Sequence, residues 1–467
     1  MKHPFQHVLL DKTGDYFFAA AINSVFLFKF TSDGNDAKLL GSWTDEVDPY
    51  YTIRKHHREL LEQYEEQQRE KAEKEASSSI SNEQVNKNNK REINNQNQIP
   101  EEQIPSSTKQ IMNKKPKLPL PGPGAPPTYT YIRDMCLSRN NKYLIVTTDN
   151  DKAVVVFDIN YNAINNEEVF KLIKRQPMSK RPSAVSTSMD DSNIIIADKF
   201  GDVYSISMTD PVVEDDSKLI PILGHVSMLT CVQNSIDENG NEVIMTADRD
   251  EHIRISYFPK SYIIKKILFG HKEFISCFSL PEWCDGKVLI SAGGDSFICS
   301  WLWQNKDEFS ELKSKISIDS LVKDKLNDKH LIPEKFQSDE GNLVEYCISK
   351  IIPLNKSQQL VIIFERIPSL FVFDLTKDGE LSFVKEYPVS NDIITATSSK
   401  DKLIISSDEM GQCLQFFTIN DDKTLSISSH SDNLLKSIDN ANNAVIGDIE
   451  ELIPLFNINY LRKRREH

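Results

Sequence analysis

The chain has 467 residues, 39% of them apolar and 27% charged, the mix of a globular protein that carries some very polar stretches. No run approaches the roughly 18 consecutive apolar residues that a membrane span needs, and the opening MKHPFQHVLLDK has too short an apolar core for a secretory signal. A net charge of −14 excludes a nucleic-acid binder that works through its overall field, so any contact with RNA must use a local basic patch or a more basic partner.

In chain order the first β-type unit is AAAINSVFLF, from Ala19 to Phe28. Residues near 54–115 then break the pattern. Arg54 to Ala76 is dense in Glu, Gln and Lys and has the composition of a solvated helix without an apolar stripe. Low-complexity Ser, Asn and Gln follow, too polar to offset the entropy of ordering. The stretch closes on the basic run Lys114-Lys115-Pro116-Lys117, which leads into a Pro/Gly segment from Pro121 to Pro127. A disordered excursion from a compact domain is expected there. Short β-type runs resume with TTDNDKAVVVF (Thr147 to Phe157), ADKFGDVYSI (Ala197 to Ile206), TADRDEHIRIS (Thr246 to Ser256) and SAGGDSFICSW (Ser291 to Trp301). A second interruption near 304–345 has helical spacing, and FERIPSLFVF (Phe364 to Phe373) and SDEMGQCLQF (Ser407 to Phe416) complete the set. The seven cysteines are scattered, with no CxxC pair and no Cys/His cluster at zinc spacing; they read as reduced, buried side chains, with no metal or cofactor site.

These units share a frame. Asp295 stands six residues before Trp301, Asp250 six before Ser256 and Asp151 six before Phe157, with Phe200 and Met410 at the same position in two variants. Aligned on their last residues, most units recur at about 43–50 residues, and the two longer gaps contain the two interruptions. The pattern predicts an all-β fold, a seven-bladed WD-repeat β-propeller with a disordered insert after the first blade and a partly helical insert after the fifth. One domain would span 1–467, with inserts at 54–115 and 304–345 and a basic tail over 455–467. A lone blade leaves both faces wet, so the ring must close; His7-Val8-Leu9-Leu10 is expected to supply an outer strand to the blade completed by the C-terminal half.

Two Gly-His pairs precede these turns. His271, Ser291, Asp295 and Trp301 supply all four members of the hydrogen-bonded chain found in WD blades; His225, Thr246 and Asp250 supply three, with Ser256 where Trp would stand. His, Ser and Asp together also admit hydrolase chemistry, but the spacing is the repeat's own and no GxSxG elbow exists. A structural role is expected.

Several strings between and within the blades go beyond the generic repeat: GAPPTYTYIRDM (Gly124 to Met135), SKRPSAV (Ser179 to Val185), IIIADKFGDVYSI (Ile194 to Ile206), PILGHVSMLT (Pro221 to Thr230), TADRDEHIRIS, LFGHKEFIS (Leu268 to Ser276) and SAGGD (Ser291 to Asp295). They resemble the WD-repeat non-catalytic subunit of the eukaryotic tRNA (guanine-N7)-methyltransferase, most closely its fungal members, and the match is densest from Gly124 to Trp301. The resemblance implies a chain that is not itself an enzyme. A separate subunit would bind S-adenosylmethionine and tRNA and methylate a guanine of the variable loop, and the propeller would bind and stabilise that subunit as a heterodimer. The sequence is compatible, since it shows no glycine-rich turn opening a helix after a strand; Gly122 and Gly124 are locked among prolines and Gly293-Gly294 lies in a blade hairpin.

On a WD blade the turn carrying Asp and the preceding Gly-His loop share one end of the ring, which places Lys199 and Arg249 on the rim of adjacent blades. Arg254 lies in the following strand between Ile253 and Ile255, and charge at such a site needs an acidic partner. Spacing alone favours an internal pair with Asp248 or an acid on the next blade; the resemblance favours a carboxylate of the methyltransferase. Lys180 and Arg181 form a second basic pair, open to a solvated loop or an interface role. The tail Arg462-Lys463-Arg464-Arg465 and the run at Lys114 resemble nuclear-import patches, or alternatively contacts to tRNA phosphates, and point to a nuclear protein, with the cytoplasm as a second possibility. The rival reading is a general WD scaffold unrelated to RNA modification.

Overall fold

The second strand of every unit is apolar on both faces, which demands cover from two sides. The computed structural model describes residues 3–47 except 33 and 35, parts of 57–71, and 131–464 apart from 150, 164–165, 305–310, 334–335, 338–342, 409–412, 429–430 and 443–454. In it Tyr16–Ala21, Tyr143–Thr148, Asn193–Asp198, Glu242–Asp248, Val288–Gly293, Gln359–Phe364 and Lys402–Ser407 are almost wholly buried, each as the second strand of a four-stranded antiparallel sheet. Seven such sheets form a propeller. Blade 1 spans residues 7–44, blade 2 132–177, blade 3 182–224, blade 4 229–268, blade 5 275–317, blade 6 348–388 and blade 7 393–427. The residues that mark the repeat, Phe28, Phe157, Ile206, Ser256, Trp301, Phe373 and Phe416, all fall in third strands.

Apolar cores lie between the blades. One fills each junction: Phe18 and Leu27 against Val155 and Phe157 (blades 1 and 2), Val154 against Ile194 (2 and 3), Ile195 against Ile244 (3 and 4), Met245 against Leu289 and Trp301 (4 and 5), Ile290 against Phe371 (5 and 6), Val361 against Ile405 (6 and 7). The ring closes where Phe17, Phe28 and Phe30 meet Ile404, Leu414 and Phe416, with Leu434, Leu435 and Ile438 of helix α2 (Ser431–Asp439) sealing the same core. First strands line a central chamber of about 300 Å³.

Two sequence expectations are corrected. His7–Leu10 pairs only with Tyr16–Ala21 as the first, channel-side strand of blade 1, not as an outer strand of the last blade. All four strands of every blade are consecutive in sequence, so no strand exchange closes the ring. A four-residue apolar run carries no pattern that separates an inner strand from an outer one, and the aromatic junction of blades 7 and 1 makes exchange unnecessary. The second interruption also begins later than expected. Glu311–Ser317 is the outer strand of blade 5, paired with Phe297–Leu302, because Leu312, Ser314 and Ile316 alternate with Glu311, Lys313 and Lys315. Among the described residues of the insert, helical structure includes α1 (Asp319–Val322) and two short 3-10 turns, Lys323–Lys325 and Asp328–His330.

The chain divides into two units, Met1–Asp45 with Tyr129–His467, which makes the ring, and Glu46–Thr128. Described residues between 57 and 71 are helical; the rest of the 54–115 expectation, including Lys114, Lys115 and Lys117, lies outside the described residues, as do Met410 and Arg465. No described helix is long and apolar enough to cross a membrane.

Candidate partner interface

In blade 5 the four expected residues form one directed chain. Trp301 Nε1 donates to Ser291 Oγ at 2.8 Å, Ser291 Oγ lies 2.8 Å from His271 Nε2, and His271 Nδ1 lies 3.0 Å from Asp295 Oδ2. A carboxylate only accepts, so His271 Nδ1–H donates to Asp295 and Nε2 accepts a hydrogen bond from the Ser291 hydroxyl. Ser291 is fully buried and its oxygen is engaged on both sides, which removes it as a nucleophile. Blade 4 departs from expectation. His225 Nδ1 meets Asp248 at 2.8 Å, not Asp250, and its Nε2 meets Thr246 Oγ1 at 2.8 Å. The position equivalent to Asp248 is Gly293 in blade 5, where a Cβ would lie 1.9 Å from the Phe274 carbonyl; blade 5 therefore takes its carboxylate two residues later. Burial pushes the Asp248 carboxyl up, but the His225 contact and the amides of His252 and Asp250 outweigh it and hold the group below the usual carboxylate range. Asp250 is thereby released to accept from Ser227 Oγ at 2.6 Å and to pair with Lys463 at 2.5 Å.

The five basic residues singled out in the sequence separate into two groups. Arg181 is turned inward: its guanidinium meets Asp149 at 3.0 Å, beside Arg133, which holds the same carboxylate at 2.7 Å. Arg249 is also engaged, donating through Nε to the Leu461 carbonyl at 2.7 Å. Lys180, Lys199 and Arg254 remain, and no carboxylate lies within ion-pair distance of them among the described residues. Lys180 and Lys199 sit over the ring of Phe200 at 4.7 and 5.4 Å. Burial, then the cations of Arg181, Lys152 and Lys180, hold the Lys199 ammonium below its ordinary pKa. Arg254 donates to the Gly224 carbonyl at 2.9 Å; burial lowers its pKa and the more distant Asp248 offsets this in part.

Backbone contacts bring these side chains onto one face. The turn Lys199-Phe200-Gly201 packs on the Gly-His loop that leads from the fourth strand of blade 3 into blade 4, with His225 N donating to the Gly201 carbonyl at 2.8 Å. Gly201 adopts φ +101°, and a Cβ there would strike the His225 carbonyl, so only glycine allows the approach. Arg254 grips Gly224 of the same loop. Large apolar groups stand exposed around it: Phe200 and Val226 on the loops, then Phe269 against His252, and Ile264 and Tyr262 farther along the edge of blade 4. The face thus carries three cations with no ion-paired carboxylate among the described residues, beside exposed aromatic and aliphatic groups.

A family model described as the tRNA methyltransferase TRM82 WD40 domain matches residues 17–219 and 213–428. The chain belongs to the TRM82 family. Relatives named tRNA (guanine-N(7)-)-methyltransferase non-catalytic subunit TRM82 are 38% identical in Debaryomyces hansenii, 37% in Kluyveromyces lactis and 33% in Saccharomyces cerevisiae strain S288c, covering 100% of this chain and 99–100% of each relative. Among solved structures, U3-55K and a chain of the Mitotic Checkpoint Complex each superpose with a TM-score of 0.51 at 11% identity, covering 87% and 89% of this chain and 89% of theirs. These support the propeller fold alone.

Within this TRM82-family chain, Lys180, Lys199 and Arg254 stood out in the sequence, and the exposed apolar groups on the same face did not. Phe200 carried a signal, an aromatic residue where sibling repeats place a turn Asp, flanked by lysines. Val226 and Phe269 carried none, since single apolar loop residues are common. Among the described residues no group of three His, Cys, Asp or Glu side chains is placed to hold a metal ion. Burial pushes the thiols of Cys231 and Cys277 up to about 11 and about 12, so neither ionises near neutral pH.

Proposed function

We propose that this chain is the non-catalytic subunit of a tRNA (guanine-N7)-methyltransferase, and that it binds and stabilises the catalytic subunit through the face of blades 3 and 4. The observation that carries the reading is Lys180 and Lys199 over exposed Phe200, with Arg254 on the adjoining Gly224 and no ion-paired acid among the described residues. A desolvated cation costs free energy unless an acid meets it, and a partner carboxylate supplies that acid. The methyl donor and the reacting guanine belong to the partner; the propeller contributes a rigid docking surface. Names borne by full-length relatives support the assignment. The test is co-expression with the catalytic subunit of the same organism. The pair should co-purify and form 7-methylguanosine in tRNA, and neither subunit should do so efficiently alone. A catalytic subunit that is equally active and stable without the propeller sinks the proposal.

A further inference from the structure

The tail from Leu455 to Arg464 lies across the mouth of the ring. Leu455 and Phe456 pack on Ile394 of blade 7, and the Arg366 guanidinium, just beyond the second strand of blade 6, sits 4.6 Å from the Phe456 ring. Helix α3 (Asn457–Leu461) begins on Glu365, whose carboxylate accepts from the amides of Asn457 at 2.5 Å and Ile458 at 3.2 Å. Ile458 and Leu461 are buried with Phe274 of the loop into blade 5 and Cys347 of the loop into blade 6. Tyr460 covers the chamber beside Arg133 of blade 2.

Each charged residue of the tail then finds an acid. Arg462 meets Glu273 at 3.1 Å and donates to the Gly294 carbonyl at 2.7 Å; Lys463 meets Asp250 at 2.5 Å; Arg464 meets Glu345 at 2.7 Å. Arg249 adds a bond to the Leu461 carbonyl. The mouth over blades 4, 5 and 6 thus offers Asp250, Glu273, Glu345 and Glu365 to a short basic peptide.

We propose that this acidic mouth is a receptor site for a basic peptide, and that its occupant is the chain's own segment 455–464, which locks the ring in place of an exchanged strand. Two observations meet in it. The blades are each built from consecutive strands, so no shared sheet ties the ring. The tail touches blades 2, 4, 5, 6 and 7 or the loops leading into them, with a mostly apolar first part and a charged C-terminal end, a geometry that holds them to one another as a strand exchange holds two. Its cations therefore serve the ring and are not offered to tRNA phosphates. The tail also clamps the Arg249-Asp250 turn, through the Leu461 carbonyl and Lys463, and this turn leads into the strand that carries Arg254.

The test uses the full chain with one ion pair reversed and then restored. Arg464→Glu should lower the melting temperature by several degrees and speed hydrogen exchange at the Asn457 and Ile458 amides by about tenfold or more. Glu345→Arg alone should do the same, and the double variant, with the charges exchanged, should recover most of both. Raising salt should loosen the wild-type tail and leave its apolar anchors as the residual protection. Wild-type tail amides that exchange at the solvent rate would overturn the proposal, as would a double variant no better than either single one. Unchanged melting and protection in Arg464→Glu, with weakened tRNA binding by the complex, would assign these cations to RNA instead.

Discussion

Arg254 occupies a strand position between buried Ile253 and Ile255 and gains only the Gly224 carbonyl in return for lost solvent. Asp248, the acid that spacing offers it, is already committed to His225. Arg254→Leu should therefore melt close to the wild type while co-purification of the catalytic subunit and 7-methylguanosine in tRNA both fall. A buried interfacial charge is worth about 2–5 kcal/mol, so the loss should exceed roughly tenfold. Early melting of the free subunit would make Arg254 a structural residue; no change in either would move the interface elsewhere. The same scale separates Asp248 from Asp250. Asp248→Ala strands the His225 imidazole and two amides and should cost about 1–3 kcal/mol, with Asp295→Ala alike in blade 5. Asp250→Ala removes partly exposed contacts to Ser227 and Lys463 and should cost about 0–1 kcal/mol. The Asp248 carboxyl is held below its usual range in the fold, so its contribution is complete above about pH 4 and is lost as pH falls through the folded value. Asp248→Asn should flatten that part of the acid profile.

The elements divide by how much of their environment the sequence encodes. Middle strands such as NIIIAD and VLISAG were legible, since continuous apolar runs bounded by turns have few other homes. The Asp turns and Gly-His loops were legible for the same local reason. Edge elements were not. His7–Leu10 is short and Glu311–Ser317 is largely polar, and whether such a strand is inner, outer or absent depends on neighbours far away in the chain. The choice of Asp248 over Asp250 depended on whether a Cβ fits two residues earlier, a three-dimensional fact. The insert after blade 1 leaves and returns at one turn: Asp45 N bonds to the Asn23 carbonyl at 2.8 Å and Ile132 N to the Ile22 carbonyl at 2.8 Å. Replacing residues 56–112 by a short flexible linker should therefore leave the melting temperature within a few degrees, because closure entropy changes slowly with loop length. A large drop, or loss of partner binding, would give that segment a docking role.

At the scale of the whole molecule, charge and fold together limit what the isolated chain can hold. The net charge is −14, and of the basic residues singled out in the sequence those within the described residues are mostly spent internally: Arg181 on Asp149, Arg249 on the tail, and Arg462, Lys463 and Arg464 on the acidic mouth. Lys180, Lys199 and Arg254 are left for an external anion. If all three meet phosphates, the slope of log affinity against log salt should be about −3 at most. Binding should then weaken about sixtyfold between 50 and 200 mM salt. Purified alone, the chain should accordingly bind tRNA weakly, with that shallow dependence, and Lys199→Glu should flatten it further. The blade hairpins supply no glycine-rich loop at a helix start for a methyl donor, so calorimetry with S-adenosylmethionine should show no saturable heat. A stoichiometric donor site on the isolated propeller would overturn the division of labour between the subunits. A salt slope near −6 would instead point to a second basic surface, for which Lys114, Lys115 and Lys117 are the first residues to neutralise.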